Sequence, residues 1–111
     1  MKLLSRPEEL ILLAVWRLKE NAYCNSIKRQ LAEVTGKNWS FGAIYDPLDR
    51  LEKKGLLKSF LGEPSAERGG KSKRIYQLTS EGLTALVNIK NISEAMWYGI
   101  SKSVLETQYE K

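Results

Sequence analysis

Apolar positions in this chain recur at helical spacing in four segments and alternate as in strands in two. In the first segment Ser5 and Glu8 stand in the S-x-x-E relation of a capping box, and Pro7 falls in the first turn, where its missing N–H costs nothing. A helix is therefore predicted from about Arg6, with Leu10, Leu13, Ala14 and Leu18 at helical spacing and Ile11 and Trp16 widening the apolar face. Asn21 to Asn25 reads as a turn. Asn25 or Ser26 can then cap a second helix, which carries Ile27, Leu31 and Val34 on one stripe, presents Lys28 and Arg29 on the other face and stops at Gly36. Ser40 is the predicted cap of a third helix ending at Gly55. At about 100° per residue, Ile44, Leu48 and Leu51 share a narrow arc that must face a core, Gly42, Asp46, Asp49, Arg50 and Lys53 lie opposite, and Tyr45 lies on a flank. Pro47 removes the hydrogen bond to the Ala43 carbonyl, so the helix can kink or restart with Asp46 as a new cap; a local adjustment near its start is expected rather than a break.

Leu56 to Leu61 and Arg74 to Leu78 alternate, with Phe60 and Tyr76 among them, as paired strands do. Their connection, Gly62 to Lys73, holds Pro64, Gly69 and Gly70 and is longer than a tight turn requires, so it reads as a wing. Thr79 caps a fourth helix with Glu81 complementing its dipole. Leu83, Leu86, Ile89, Met96, Ile100 and Val104 follow near-helical spacing, and Val87, Ile92, Trp97 and Leu105 broaden the stripe. So long an apolar helix exceeds what a small domain covers, which makes a second copy of the chain the expected partner. The predicted fold is mainly α, of the α+β kind. It is a winged helix-turn-helix with a two-stranded β-wing over residues 1–79, followed by a long C-terminal dimerisation helix over residues 80–111.

Composition narrows the partner. With 111 residues, 42% of them hydrophobic and 28% charged, the chain suits one folded domain with its own core. The net charge is +5, and from Asn25 to Arg74 eleven Lys and Arg face six acids, whereas the remainder carries seven of each. The whole surplus thus sits on the middle segment, where a solvated basic face is the ordinary reading and a polyanion-binding face the functional one. Arg68, Lys71, Lys73 and Arg74, with no acid among them, have few structural uses, and the glycines beside them let a backbone approach a phosphate. A third helix with small, polar and basic residues outward suits the major groove, with the wing along the phosphates.

Catalysis finds no plausible set of groups. There is no histidine, and the single Cys24 builds neither a zinc site nor a disulfide and is more often a small buried hydrophobe than a nucleophile. Gly70-Lys71-Ser72 imitates the end of a phosphate-binding loop, but Ser65 stands where that motif needs glycine and a strand follows where it needs a helix. Glu8 and Glu9 point to different sides of a helix and read as first-turn dipole complements. No cofactor and no metal are expected. Glu8 and Glu9 also interrupt what would otherwise pass for a signal peptide, and no apolar run approaches the roughly 20 residues of a membrane span, so a cytoplasmic protein with no membrane partner is expected. The glycosylation triplets at Asn38 and Asn91 are then chance matches.

Three separated runs, EELILLAVWRL, FGAIYDPLDRLEKKGLL and RGGKSKRIYQLTSEG, together resemble the PadR family of bacterial winged-helix transcriptional regulators, over about Glu8 to Leu86. The resemblance implies a homodimer that binds a roughly palindromic operator in double-stranded DNA, usually as a repressor, with the C-terminal helix forming the dimer interface. On that pattern Ser40, Gly42 and Tyr45 occupy the recognition-helix motif, Arg50 and Lys53 follow on the same helix, and Arg68, Gly69, Gly70, Lys71, Lys73 and Arg74 occupy the wing. Lys28 and Arg29 add phosphate contacts, and Arg50 is the candidate for bidentate reading of guanine. Asp46 and Asp49 would repel the backbone unless one accepts from cytosine N4. The interface candidates are Leu86, Ile89, Met96, Trp97, Ile100 and Val104. The single C-terminal helix looks like the family's short branch, some members of which bind flat aromatic compounds near tryptophans at the dimer centre. Trp97 and Trp16 are therefore candidate effector-binding residues, with plain packing as the alternative. A winged helix used as a protein-interaction module without DNA binding is the competing function, and charge reversal at Lys71, Lys73 and Arg74 separates the two.

Overall fold

The computed structural model describes residues 3–64, 69 and 72–100. Helix α1 spans Arg6–Leu18, a 3-10 turn Lys19–Asn21, α2 Cys24–Thr35, α3 Phe41–Lys53, β1 Leu57–Leu61, β2 Arg74–Leu78 and α4 Ser80–Trp97. This is the winged helix-turn-helix read from the sequence.

The capping box of α1 forms as expected: the Glu8 N–H donates to Ser5 Oγ at 3.2 Å and the Ser5 N–H to Glu8 Oε1 at 2.9 Å. The face α1 buries differs from the expected stripe. Ile11, Leu12, Ala14 and Val15 are buried, Leu10 and Leu18 pack at the core's edge, and Leu13 and Trp16 are exposed. Leu10 to Trp16 is an unbroken apolar run, so helical spacing alone fits several stripes, and packing against α2 and α3 selects among them.

Helix α2 begins before Asn25, and neither Asn25 nor Ser26 caps it. The preceding residue is Tyr23, whose N–H donates to Ser26 Oγ at 2.9 Å; the Ser26 hydroxyl points in turn to the carbonyls of Asn21 and Tyr23. Ser26 thus secures the turn from inside the first helical turn and is buried doing so. Ile27 and Leu31 enter the core, while Val34 stays 65% exposed. Gly36, the expected stop, follows α2.

Helix α3 runs unbroken through Pro47, capped by Ser40 Oγ, which accepts from the Ala43 N–H at 3.1 Å. Ile44, Leu48 and Leu51 are fully buried as the pattern requires, and Pro47 is buried beside them.

Strands β1 and β2 pair antiparallel with Leu57 opposite Leu78 and Leu61 opposite Arg74. Leu57 and Tyr76 face the core. The Tyr76 N–H also donates to the Ala22 carbonyl at 2.8 Å, so the middle of β2 is bonded to the connection between α1 and α2.

Thr79 caps α4 as expected, accepting from the Gly82 N–H at 3.0 Å, and its hydroxyl donates to the Gly55 carbonyl at 2.7 Å. Helix α4 is shorter than the apolar stripe suggested. It ends at Trp97, and Gly99 with φ of 86° takes the chain out of helical geometry, so Ile100 lies past the helix. Val104 and Leu105 lie outside the described residues. Only Gly82 and Leu86 of α4 are buried. No helix among the described residues is long and apolar enough to cross a membrane.

Candidate nucleic-acid interface

The exposed face of α3 starts at its cap. Phe41 and Tyr45, one turn apart, are 59% and 55% exposed, and Gly42 and Asp46 lie open beside them. An added Cβ on Gly42 would meet nothing of the chain nearer than Asp46 Oδ2 at 3.9 Å, so the notch there serves no packing of the chain itself.

This face borders a cleft of about 460 Å³ between the start of α2, α3 and the wing end of the hairpin, with Tyr23, Phe41, Tyr45, Lys73 and Arg74 among its walls. One of its cations lies on an aromatic ring, and a lysine outside it lies near another. The Lys73 ammonium lies 4.1 Å from the centre of the Tyr23 ring and the Lys28 ammonium 5.8 Å from that of Phe41. Arg74 donates through Nη1 to Ser59 Oγ at 3.0 Å, and Ser59 donates to Glu52 Oε2 at 2.7 Å, a relay that fixes the guanidinium over the hairpin. Arg29 is exposed on α2.

The candidates from sequence therefore divide. Lys28, Ser40, Gly42, Tyr45, Lys73 and Arg74 gather around the α3 face and its cleft. Gly69 has φ of 63°, the left-handed conformation a wing turn asks of glycine; Arg68, Gly70 and Lys71 lie outside the described residues. Arg50 turns the other way, its Nε 3.8 Å from Glu8 Oε2. Lys53 pairs with Asp49 at 2.9 Å, which raises the Lys53 ammonium above its ordinary pKa and neutralises the carboxylate expected to repel DNA.

Glu8 is the residue that sequence reasoning undervalued. It is 5% exposed and joins the start of α1 to the end of α3, accepting from Lys54 Nζ at 3.0 Å. Burial pushes its carboxyl up, but the Ser5 N–H, the Lys54 ammonium and the Ser5 hydroxyl together outweigh this and hold it below its usual value. The capping box was legible; the partner 46 residues away was not. Burial raises the Cys24 thiol despite Lys28 nearby, so it is a poor nucleophile. Among the described residues no cluster of side chains could hold a metal.

A second, apolar surface lies on α1 and α4 and shares no residue with the α3 cleft. Leu13, Trp16, Leu83 and Val87 line one hollow of about 450 Å³; Ile89, Ile92, Met96 and Trp97 line another of about 370 Å³ with Leu3 and Leu4. Trp16 and Trp97 are thus not brought together within one chain. Of the interface candidates, Leu86 is buried in the chain's own core and is not free to meet a partner.

Comparison with known proteins places this geometry. Solved structures similar to the chain include H. salinarum RosR, at 26% identity over 96% of this chain and 91% of that one with a TM-score of 0.68. A PadR family transcription regulator from Clostridium difficile matches at 26% identity over 94% and 99%, with a TM-score of 0.64. A PadR family transcriptional regulator from Eggerthella lenta matches at 27% over 86% and 80%, with a TM-score of 0.65. Among curated proteins none matches. The family model described as the transcriptional regulator PadR-like family matches residues 12–88, and the chain belongs to that family, whose members regulate transcription and are not enzymes.

Proposed function

We propose that the chain is a homodimeric, sequence-specific DNA-binding repressor. Residues 1–79 form the reading head and residues 80–111 the dimerisation element. Helix α3 enters the major groove from its capped end, and Lys28, Arg29, Lys73 and Arg74 take phosphates on either side. The observation that carries this reading is the separation of two surfaces: cations held on rings around the open α3 face, and exposed apolar side chains on α1 and α4. The first suits a polyanion. The second suits a copy of itself, since Leu13, Trp16, Leu83, Val87, Ile92, Met96 and Trp97 are each at least 40% exposed in the single chain. A flat aromatic compound bound at Trp97 between the two copies would relieve repression by changing the spacing of the two heads.

Selection of bound duplexes from a random pool by the purified protein tests the reading. An inverted repeat, bound with an affinity that falls with salt at a log–log slope near −5, for about six of the eight contacts those four cations offer in two copies, supports it. No enrichment, or a flat salt dependence, overturns it. If the protein ignores DNA but still captures a protein partner that is lost on Lys73→Glu with Arg74→Glu, the interaction-module reading takes its place. For the effector, quenching of tryptophan fluorescence by planar aromatic compounds should vanish in Trp97→Ala and persist in Trp16→Ala; equal quenching in both removes the pocket.

A further inference from the structure

The two basic side chains that sequence alone offers for reading bases on α3 both already have carboxylate partners. Arg50 sits in the helix's last turn and faces the buried Glu8, and Lys53 is paired with Asp49. A recognition helix reads base edges from its N-terminal residues, and Arg50 lies nine residues beyond Phe41, roughly 13 Å along the axis. What the N-terminal end presents is Phe41, more than half exposed in its first position, with Tyr45 one turn on, the Gly42 notch next to it and the Asp46 carboxylate on the far side of that notch. The neighbouring cation, Lys28, stacks toward the Phe41 ring, where it steadies the ring and offers its ammonium to a phosphate.

These groups have a definite preference in the major groove. An apolar ring gains from the C5-methyl of thymine and from no other base. A carboxylate is repelled by guanine, which presents two acceptors, and accepts from the amino group of adenine or cytosine. Cover by such a methyl also removes part of the exposed ring's unfavourable contact with water.

We propose that the operator half-site is read through thymine methyl groups by Phe41, with Asp46 excluding guanine beside it, and not through guanine by Arg50. This rests on the DNA-binding reading above. The probe is the duplex that the wild-type protein selects from a random pool, synthesised with thymidine or, one position at a time, with deoxyuridine, which lacks only the methyl. One position per half-site should weaken binding about fourfold on replacement, the worth of one buried carbon at about 0.8 kcal/mol. Phe41→Ala should bind thymidine and deoxyuridine duplexes equally, Phe41→Leu should keep part of the difference, and Arg50→Ala should leave the selected sequence unchanged. Equal wild-type affinity for every deoxyuridine duplex overturns the inference while leaving DNA binding intact, as does a selected guanine whose preference disappears in Arg50→Ala. Failure to select any duplex overturns the DNA-binding reading itself.

Discussion

Adding one methyl group at Gly82 should loosen the joint between the reading head and α4. A Cβ there would collide with the Leu56 carbonyl oxygen and lie 2.7 Å from Leu78 Cδ1 and 3.2 Å from the Leu56 carbonyl carbon. The Leu56 carbonyl cannot retreat freely, because it accepts the Thr79 N–H at 3.1 Å, and Thr79 is in turn held by Gly55 and by Gly82 itself. Overpacking of this kind costs about 1–3 kcal/mol, and a displaced Leu56 carbonyl forfeits about 1 kcal/mol of hydrogen bonding. Alanine's better helix propensity returns at most about 1 kcal/mol. Gly82→Ala should therefore destabilise the protein by about 2 kcal/mol, which lowers the urea midpoint by about 1.5 M for an m-value near the low end for small proteins. Far-UV circular dichroism at fixed protein concentration measures it, since the proposed pairing of copies would make the midpoint depend on concentration. Gly42→Ala is the control. That glycine has open space around it, so the same exchange should be neutral or stabilising by up to about 1 kcal/mol. A Gly82→Ala midpoint equal to or above wild type would refute the close approach.

Removing Glu8 should cost stability in a pH-dependent way. Its folded pKa is depressed, so its contribution is complete above the unfolded value near 4.5 and is lost as pH falls through the folded value. Glu8→Ala should cost about 2 kcal/mol at pH 7 as a hydrogen-bonded charge is removed, and its deficit should shrink in acid unfolding curves as the wild-type carboxyl protonates. Val87→Glu, at an exposed position of the α1–α4 hollow, should leave the helical spectrum unchanged and convert the proposed dimers to single chains in sedimentation equilibrium. Lys73→Ala with Arg74→Ala should lower the magnitude of the salt slope by about 3–4 if each contacts one phosphate in each of two copies.

How much was legible in the sequence varied with how local the cause was. Helix α3 was readable because Ile44, Leu48 and Leu51 are separated by polar residues, so one stripe fits. In α1 the run Leu10 to Trp16 carries no polar marker, and the buried side came from packing, which left Leu13 and Trp16 outside. The start of α2 was misplaced because Ser26 stabilises its turn from the third helical position, with Tyr23 as the boundary residue. Pro47 left α3 continuous, as anticipated. The end of α4 turned on Gly99, which the apolar stripe passes over without a break. Arg50 looked free on a helical wheel, and only the fold brings Glu8 to it. Gly82 gave no signal either, since what forbids a side chain there is a carbonyl from another element.

The bond from Tyr76 to the Ala22 carbonyl makes β2 a third rail of the helix pair and not an appendage of it. The Tyr76 amide should accordingly exchange with solvent deuterium as slowly as the core helices. Ring-held Lys73 and relay-held Arg74 travel with that rail. In the proposed dimer the tolerance for operator length would then be set where the two copies touch, since a single copy has no internal pivot at Tyr76 with which to adjust its grip.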